Sequence, residues 1–174
     1  MTQKLLINAC KAIFEDGRFY LSRISSLEYS MPLELFSGST LGQHTRHWIE
    51  FFQCLVFQPS EKGVICYDMR KRDLDLENNP LKALNTLAEM ENALQKLHQS
   101  DDLILASKLP DGTNVELTTS FRRELWFVIE HAVHHLALIK IGLKTQFPDW
   151  VIPDHFGVAT STLKHKVEEI TTFK

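Results

Sequence analysis

Histidines at helical spacing are the residues of this chain best suited to chemistry. The stretch FVIEHAVHHLALIK holds His131, His134 and His135, and the stretch GQHTRHWIEFF holds His44 and His47. Two imidazoles four residues apart on a helix can bind one metal ion, and a third from another helix completes a three-histidine site with an open position for water or substrate. Such neutral nitrogen ligands favour Zn²⁺, Ni²⁺ or Fe²⁺ over Ca²⁺ or Mg²⁺. If the two stretches meet in space, they predict a divalent-metal site.

The positions of these histidines around their helices decide whether they can meet. At about 100° per residue, one side of the later helix forms an apolar stripe of Leu125, Ala132, Leu136, Ile139 and Leu143. His131 and His135 lie together on the flank of that stripe, and His134 is turned away from His135. On the earlier helix, His44 lies within the apolar face and His47 at its flank. Both clusters therefore lie on partly buried surfaces. Hydrogen-bonded structural histidines are the alternative interpretation of the same pattern.

Two other metal patterns are excluded. A zinc protease motif, H-E-x-x-H, needs a glutamate where this chain has Ala132. A ferritin-like di-iron bundle needs Glu-x-x-His, but Glu130 is followed three residues later by Val133.

The elements that must position the histidines are mainly helical. We predict helices over about residues 3–25, from Ser39 or Thr40 to about 57, over 80–99, over 120–142 with Gly142 near the end, and over 158–170. The Pro-Asp-Gly turn of LILASKLPDGTNVELTT predicts a short β-hairpin near residues 103–118. Four long helices with short connections favour an antiparallel four-helix bundle. The length of 174 residues suggests a single domain over 1–174.

Composition and charge narrow the class of protein. A formal net charge of −3 gives no bulk attraction to nucleic acid or anionic membranes. No apolar run approaches the roughly 20 residues that span a bilayer. Cys10, Cys54 and Cys66 form no CxxC pair, which favours free thiols in a reducing compartment. With no signal-peptide pattern at the N-terminus, we expect a cytoplasmic protein that acts on a small molecule.

Four segments of the chain, taken in order, resemble the DinB-like (YfiT-like) metalloenzyme superfamily. They are STLGQHTRHWIEFF, YDMRKRD, EHAVHHLALIKIGL and DHFGVATSTLKH, between about residues 39 and 165. The resemblance implies a four-helix bundle with a three-histidine metal site. It puts the ligands at His47, His131 and His135. His44 remains the competitor for His47. His134 and Glu130 are candidates either to orient a ligand histidine or to act as alternative ligands.

The same resemblance implies a homodimer and a range of activities. Relatives include transferases that use a low-molecular-weight thiol such as bacillithiol or mycothiol. A cation with an open position could activate a thiol for transfer or water for hydrolysis, and the sequence leaves both open. The alternative is a non-catalytic helical bundle that binds a ligand or partner and has structural histidines.

The stretch CYDMRKRD supplies candidate substrate-binding residues. If it is extended, Asp68, Arg70 and Arg72 point to one side. Arginines beside a metal cleft could clamp a carboxylate or phosphate, and Tyr67 could donate a proton. The alternative is that Tyr67 packs and the charged residues form ion pairs that anchor a long loop.

Overall fold

A computed structural model of the chain describes residues 2–60, 63–97, 102–159 and 162. These residues form a mainly α-helical fold with a small sheet, as the sequence predicts. The α-helices are α1 (Thr2–Leu21), α2 (Ser26–Tyr29), α3 (Leu41–Phe57), α4 (Leu74–Asn78), α5 (Pro80–Lys96) and α6 (Phe121–Gln146). The strands are β1 (Val64–Ile65), β2 (Leu103–Lys108) and β3 (Asn114–Thr119). None of the helices described is both long and apolar enough to cross a bilayer.

The four long helices agree with the predicted ones apart from their ends. Helix α1 ends at Leu21, a few residues early, and α6 continues to Gln146. The segments between the predicted helices contain the short helices α2 and α4. The helix predicted over 158–170 falls almost entirely outside the described residues.

The core lies between the long helices. Helix α3 packs against α5 and α6, and α1 packs against the same two helices. The predicted stripe of α6 is confirmed as buried: Leu125, Ala132, Leu136, Ile139 and Leu143. Apolar residues at helical spacing turn one side of each helix inward, which leaves the flanks of α3 and α6 facing each other at the edge of the core.

Side-chain caps fix where the two histidine-bearing helices begin. At the start of α3, the Gln43 N–H donates to Thr40 Oγ1 at 2.9 Å and the Thr40 N–H donates to Gln43 Oε1 at 3.3 Å. This capping box satisfies two backbone donors that the first turn leaves free. At the start of α6, the Arg123 N–H donates to Ser120 Oγ at 3.2 Å. The caps thus define the first turn of each helix that carries histidines.

Gly142 lies one turn before the end of α6, which runs four residues further, to Gln146. A Cβ at position 142 would lie 2.6 Å from Phe36 Cζ. The glycine is thus needed for the close approach of Phe36, whose ring in turn contacts His44 with centroids 4.7 Å apart.

The predicted β-hairpin is confirmed, and the sheet has one strand more. Strands β2 and β3 pair antiparallel, with Leu105 opposite Leu117. Gly112 in the turn has φ 89°, a conformation that glycine adopts without strain. Strand β1 pairs parallel with β2, with Val64 opposite Ile104. This pairing ties the segment before Tyr67 to the hairpin.

Candidate metal centre

Three imidazoles from two helices converge at the edge of the core. The ring centroid of His47 on α3 lies 5.0 Å from that of His131 and 4.6 Å from that of His135, both on α6. The centroids of His131 and His135 are 4.7 Å apart. One nitrogen of each ring lies within 4.8 Å of the others. Zn–N bonds of about 2.0–2.1 Å in a tetrahedral site need nitrogens about 3.3 Å apart, so to share a zinc ion these nitrogens would have to approach one another by up to about 1.5 Å.

Aromatic packing holds His131 in this position. The Phe51 ring stacks on the His131 ring, with centroids 4.1 Å apart and planes 18° apart. Phe51 also contacts His47 at 4.8 Å, and Phe127 lies against His131 at 5.8 Å. Because these phenyl rings come from α3 and α6, the packing between the two helices also orients the imidazoles.

His44 contacts the cluster through His135. The Nδ1 atoms of the two rings lie 3.1 Å apart, so one ring donates a hydrogen bond and the other accepts. This contact engages His135 Nδ1 and leaves its Nε2 on the other side of the ring. The sequence left His44 and His47 as competing ligands. The structure puts His47 in the three-nitrogen cluster and His44 in contact with one of its members.

The environment keeps these imidazoles neutral. Burial is the main cause that lowers the pKa of His47 to about 4, and electrostatic coupling with His131, Arg70 and Arg46 adds to it. Burial, helped by neighbouring histidines, also lowers the pKa of His131 to about 4 and that of His135 to about 3. The rings are therefore uncharged at neutral pH, and each has one nitrogen without a proton. This is the form that binds a metal.

One ring nitrogen of the cluster lacks a hydrogen-bond partner. His131 Nε2 is buried and has no hydrogen-bond partner among the described residues. Buried polar atoms are nearly always paired, and an exception needs an explanation such as an ion or water. A divalent cation held with His47 and His135 would give such a nitrogen a partner, so the residues present fit the group that the family resemblance implies.

Two further predicted residues lie outside the cluster. His134 is exposed, with its ring edge-on to His135 at 5.3 Å. Glu130 is also exposed on α6 and takes no part in the hydrogen bonds that the described residues make around the rings. Neither side chain makes a described hydrogen bond to a histidine of the cluster.

Tyr67 lies close to the cluster, but its hydroxyl is engaged elsewhere. Its ring stacks on Phe51 with centroids 4.7 Å apart and planes 8° apart. The hydroxyl donates to Glu124 Oε2 at 2.9 Å. Burial, with the adjacent Glu124 charge, raises the pKa of Tyr67 well above its usual value. Tyr67 is thus bound to a carboxylate and holds its proton firmly.

The segment that follows Tyr67 is not extended, so the predicted alignment of its side chains does not apply. Residues Tyr67–Met69 form a 3₁₀ turn, and Arg72 has φ 54°. Asp68 accepts hydrogen bonds from Ser107 Oγ at 2.9 Å and from the Lys108 N–H at 3.2 Å, both on the hairpin. Arg72 donates to the Asp68 carbonyl at 3.4 Å. Asp68 thus fastens the loop to the hairpin through hydrogen bonds, whereas the alternative interpretation proposed ion pairs.

Arg70 is the one candidate of this segment that turns toward the cluster. Its Nε lies 3.7 Å from Glu50 Oε2, and its guanidinium carbon lies 5.8 Å from the Phe51 ring centroid. Its charge contributes to the lowered pKa of both His47 and His131.

Sequence reasoning missed Arg46 and Glu50. Arg46 lines an open depression of about 370 Å³ beside the cluster, together with Ser39, Gln43, His44, His47 and His135. Its Nη1 donates to Glu77 Oε2, and its Nε lies 3.9 Å from Glu50 Oε2. The Arg-x-x-x-Glu spacing on a helix that also carries His47 is the signal that could have found the pair.

The comparisons with known proteins do not establish a family. No model of a known protein family matches the chain, and no solved structure matches it. The chain is 31% identical over 112 residues to FK506-binding protein 5 of Rhizopus delemar, a match that covers 59% of this chain and 27% of that protein. The chain thus corresponds to about a quarter of the curated relative.

Proposed function

We propose that this protein is a DinB-like metal-dependent enzyme in which His47, His131 and His135 hold one divalent cation, Zn²⁺, Ni²⁺ or Fe²⁺, and a small-molecule substrate occupies the open side. The observation that carries the proposal is the convergence of three imidazoles from two helices, with a nitrogen of each within 4.8 Å of the others. Neutral imidazoles and an unsatisfied buried nitrogen support it.

The helical packing supports a four-helix bundle of the DinB-like type. Helices α1 and α3 each contact both α5 and α6. In bundles of this kind, metal sites are built from side chains on facing helices, and the facing pair here is α3 and α6. A single domain over 1–174 and a homodimer are expectations from length and resemblance that accompany the proposal.

The residues of the chain have separable roles in this proposal. A bound divalent cation supplies Lewis acidity, which favours loss of a proton from water or from a low-molecular-weight thiol at neutral pH. Phe51 and Phe127 exclude water from one side of His131. His44 fixes the orientation of His135 through the contact between their Nδ1 atoms. A thiol as the nucleophile gives a transferase, and water gives a hydrolase.

A non-catalytic bundle that binds a ligand is the second candidate. Its specific support is the similarity to a protein named for binding FK506, although the chain matches only 27% of that protein. In this case the histidines are structural. FK506 is therefore the first compound to test for this candidate.

The metal content of the purified protein tests the proposal. Full-length chain prepared without a histidine tag should contain about one equivalent of metal by elemental analysis, and a chelator should lower its Tm because a ligand of the folded state stabilises it. His131→Ala and His135→Ala should each lose the metal. His134→Ala is the matched control, because this exposed residue lies on the same helix. Less than one equivalent, or equal retention in all variants, favours the non-catalytic candidate.

A thermal-shift screen separates the possible chemistries. The metal-loaded protein is mixed with low-molecular-weight thiols and, separately, with FK506. A rise in Tm with a thiol, lost in His135→Ala, indicates thiol-dependent transfer. A rise with FK506 that is unchanged by removal of the metal supports the ligand-binding candidate.

A further inference from the structure

We infer that the depression beside the histidines binds an anionic group of a small-molecule substrate, a carboxylate or a phosphate, and that Arg46 is its anchor. The inference rests on the proposed function, because it names the substrate class of that same site. His47 and His135 form one part of the wall, and Arg46 forms another. A substrate in the depression would therefore contact the guanidinium and the histidine cluster at once.

The lining of the depression suits an anion. Its polar groups are the Ser39 hydroxyl, the Gln43 amide, the guanidinium and imidazoles, and no described carboxylate is among its lining residues. The three-nitrogen cluster likewise includes no carboxylate. A cation held by neutral ligands keeps its full charge, and the largest local charge governs what binds beside it. Both walls of the depression thus favour a negative group.

Arg46 is held in place before any ligand arrives. Glu77 accepts from Arg46 Nη1 through one carboxylate oxygen and from Gln43 Nε2 at 3.1 Å through the other. The Arg46 side chain is only 16% exposed. A guanidinium has five N–H donors, more than its contacts with Glu77 and Glu50 require. A side chain that is already ordered loses little entropy on binding, and its planar fork matches a carboxylate or phosphate.

Glu77 limits the affinity that Arg46 can reach. Its carboxylate shares the guanidinium that the ligand would use, so its negative charge opposes an incoming anion. The close approach of α4 to α3 requires Gly42, since a Cβ there would lie 1.9 Å from the Glu77 carbonyl oxygen. Because the negative charge of Glu77 opposes an anion, removing that charge while keeping the size of the side chain should strengthen anion binding.

The test measures the binding of inorganic phosphate and, in parallel, acetate to the metal-loaded full chain by isothermal titration calorimetry. We expect Arg46→Gln to weaken binding of the preferred anion by about tenfold, the loss typical of a charge-assisted hydrogen bond. Arg72→Gln is the matched control, because the hydrogen bonds of this exposed arginine to the described residues go to backbone carbonyls of its own loop. The affinity of this variant for the anion should stay within about twofold of the native value. The preferred anion distinguishes a phosphate from a carboxylate substrate.

Glu77→Gln should change the affinity for the anion in the opposite direction. It keeps a hydrogen-bond acceptor for Arg46 and should tighten anion binding severalfold. Equal affinities in the native chain and Arg46→Gln, or weaker binding in Glu77→Gln, would overturn the inference. Metal content is measured on the same samples. A native chain without metal defeats the proposed function, whereas a metal-loaded chain with Arg46-independent anion binding defeats only this inference.

Discussion

Helix α6 carries two polar clusters that differ in how completely their groups are satisfied. Near its start, Glu124 is fully buried and accepts hydrogen bonds from Tyr67 at 2.9 Å, Thr119 at 2.6 Å and Arg123 at 2.8 Å. Two turns later, His131 Nε2 is buried without a partner among the described residues. The first cluster is closed within the chain, and the second has bonding capacity left for a ligand.

This difference separates residues that hold the fold from residues available for chemistry. A satisfied polar network stabilises a particular packing, whereas an unsatisfied buried atom costs free energy unless something binds it. Tyr67 belongs to the closed cluster although its ring lies near the histidines. Substitutions in the two clusters should therefore affect different measurements: unfolding free energy for the first and metal affinity for the second.

Glu124→Ala should give the largest effect on stability. It leaves the Tyr67 hydroxyl buried without its acceptor, and removing one partner of a buried charged network costs roughly 3 kcal/mol of unfolding free energy. Denaturant unfolding of the metal-free protein measures this loss. The variant should still bind about one equivalent of metal when folded. A loss below about 1 kcal/mol, or an abolished metal site in the folded variant, would show that the clusters are not separable.

His44→Phe should weaken metal affinity by roughly tenfold, the lower end for loss of a group that orients a metal ligand. The substitution removes the contact with His135 Nδ1 but keeps a ring that can pack against Phe36. Competition with a chromophoric chelator measures the affinity. His134→Phe is the control and should leave it unchanged. A native-like affinity in His44→Phe would mean that His135 needs no positioning partner.

Tyr67→Phe should have the smallest effect. It removes one hydrogen bond to Glu124 and keeps the stack on Phe51, so we expect a loss of about 1 kcal/mol in unfolding free energy. Metal affinity should not change, since the hydroxyl contacts the closed cluster. A clear drop in metal affinity in the same chelator competition would instead assign Tyr67 to the metal centre.

Much of the histidine-bearing framework was predictable because its signals are local. The Thr40–Gln43 capping box marks the start of α3, and apolar residues at helical spacing mark the buried side of α6. Once those two faces are known, His131 and His135 must lie at the core edge. The hairpin was also predictable from its Pro-Asp-Gly turn.

The segment from Cys66 to Asp73 was not predictable, because distant side chains set its conformation. Gln58 brackets Cys66, accepting from its N–H at 2.7 Å and donating to its carbonyl at 3.1 Å. Glu50 accepts from the Asp73 N–H at 2.7 Å. No periodicity within the segment encodes these contacts, so the expected alignment of Asp68, Arg70 and Arg72 could be stated only conditionally. The ion pair of Arg46 with Glu77 could not be predicted either, because it also joins residues that are distant in the sequence.

Anomalous X-ray diffraction from crystals of the metal-loaded protein, collected on both sides of the metal absorption edge, tests the central claim most directly. The account predicts a single strong peak within about 2.0–2.2 Å of one nitrogen each from His47, His131 and His135, with His44 still in contact with His135. A peak at another place, or three imidazoles that hydrogen-bond to one another or to water with no metal between them, would contradict it.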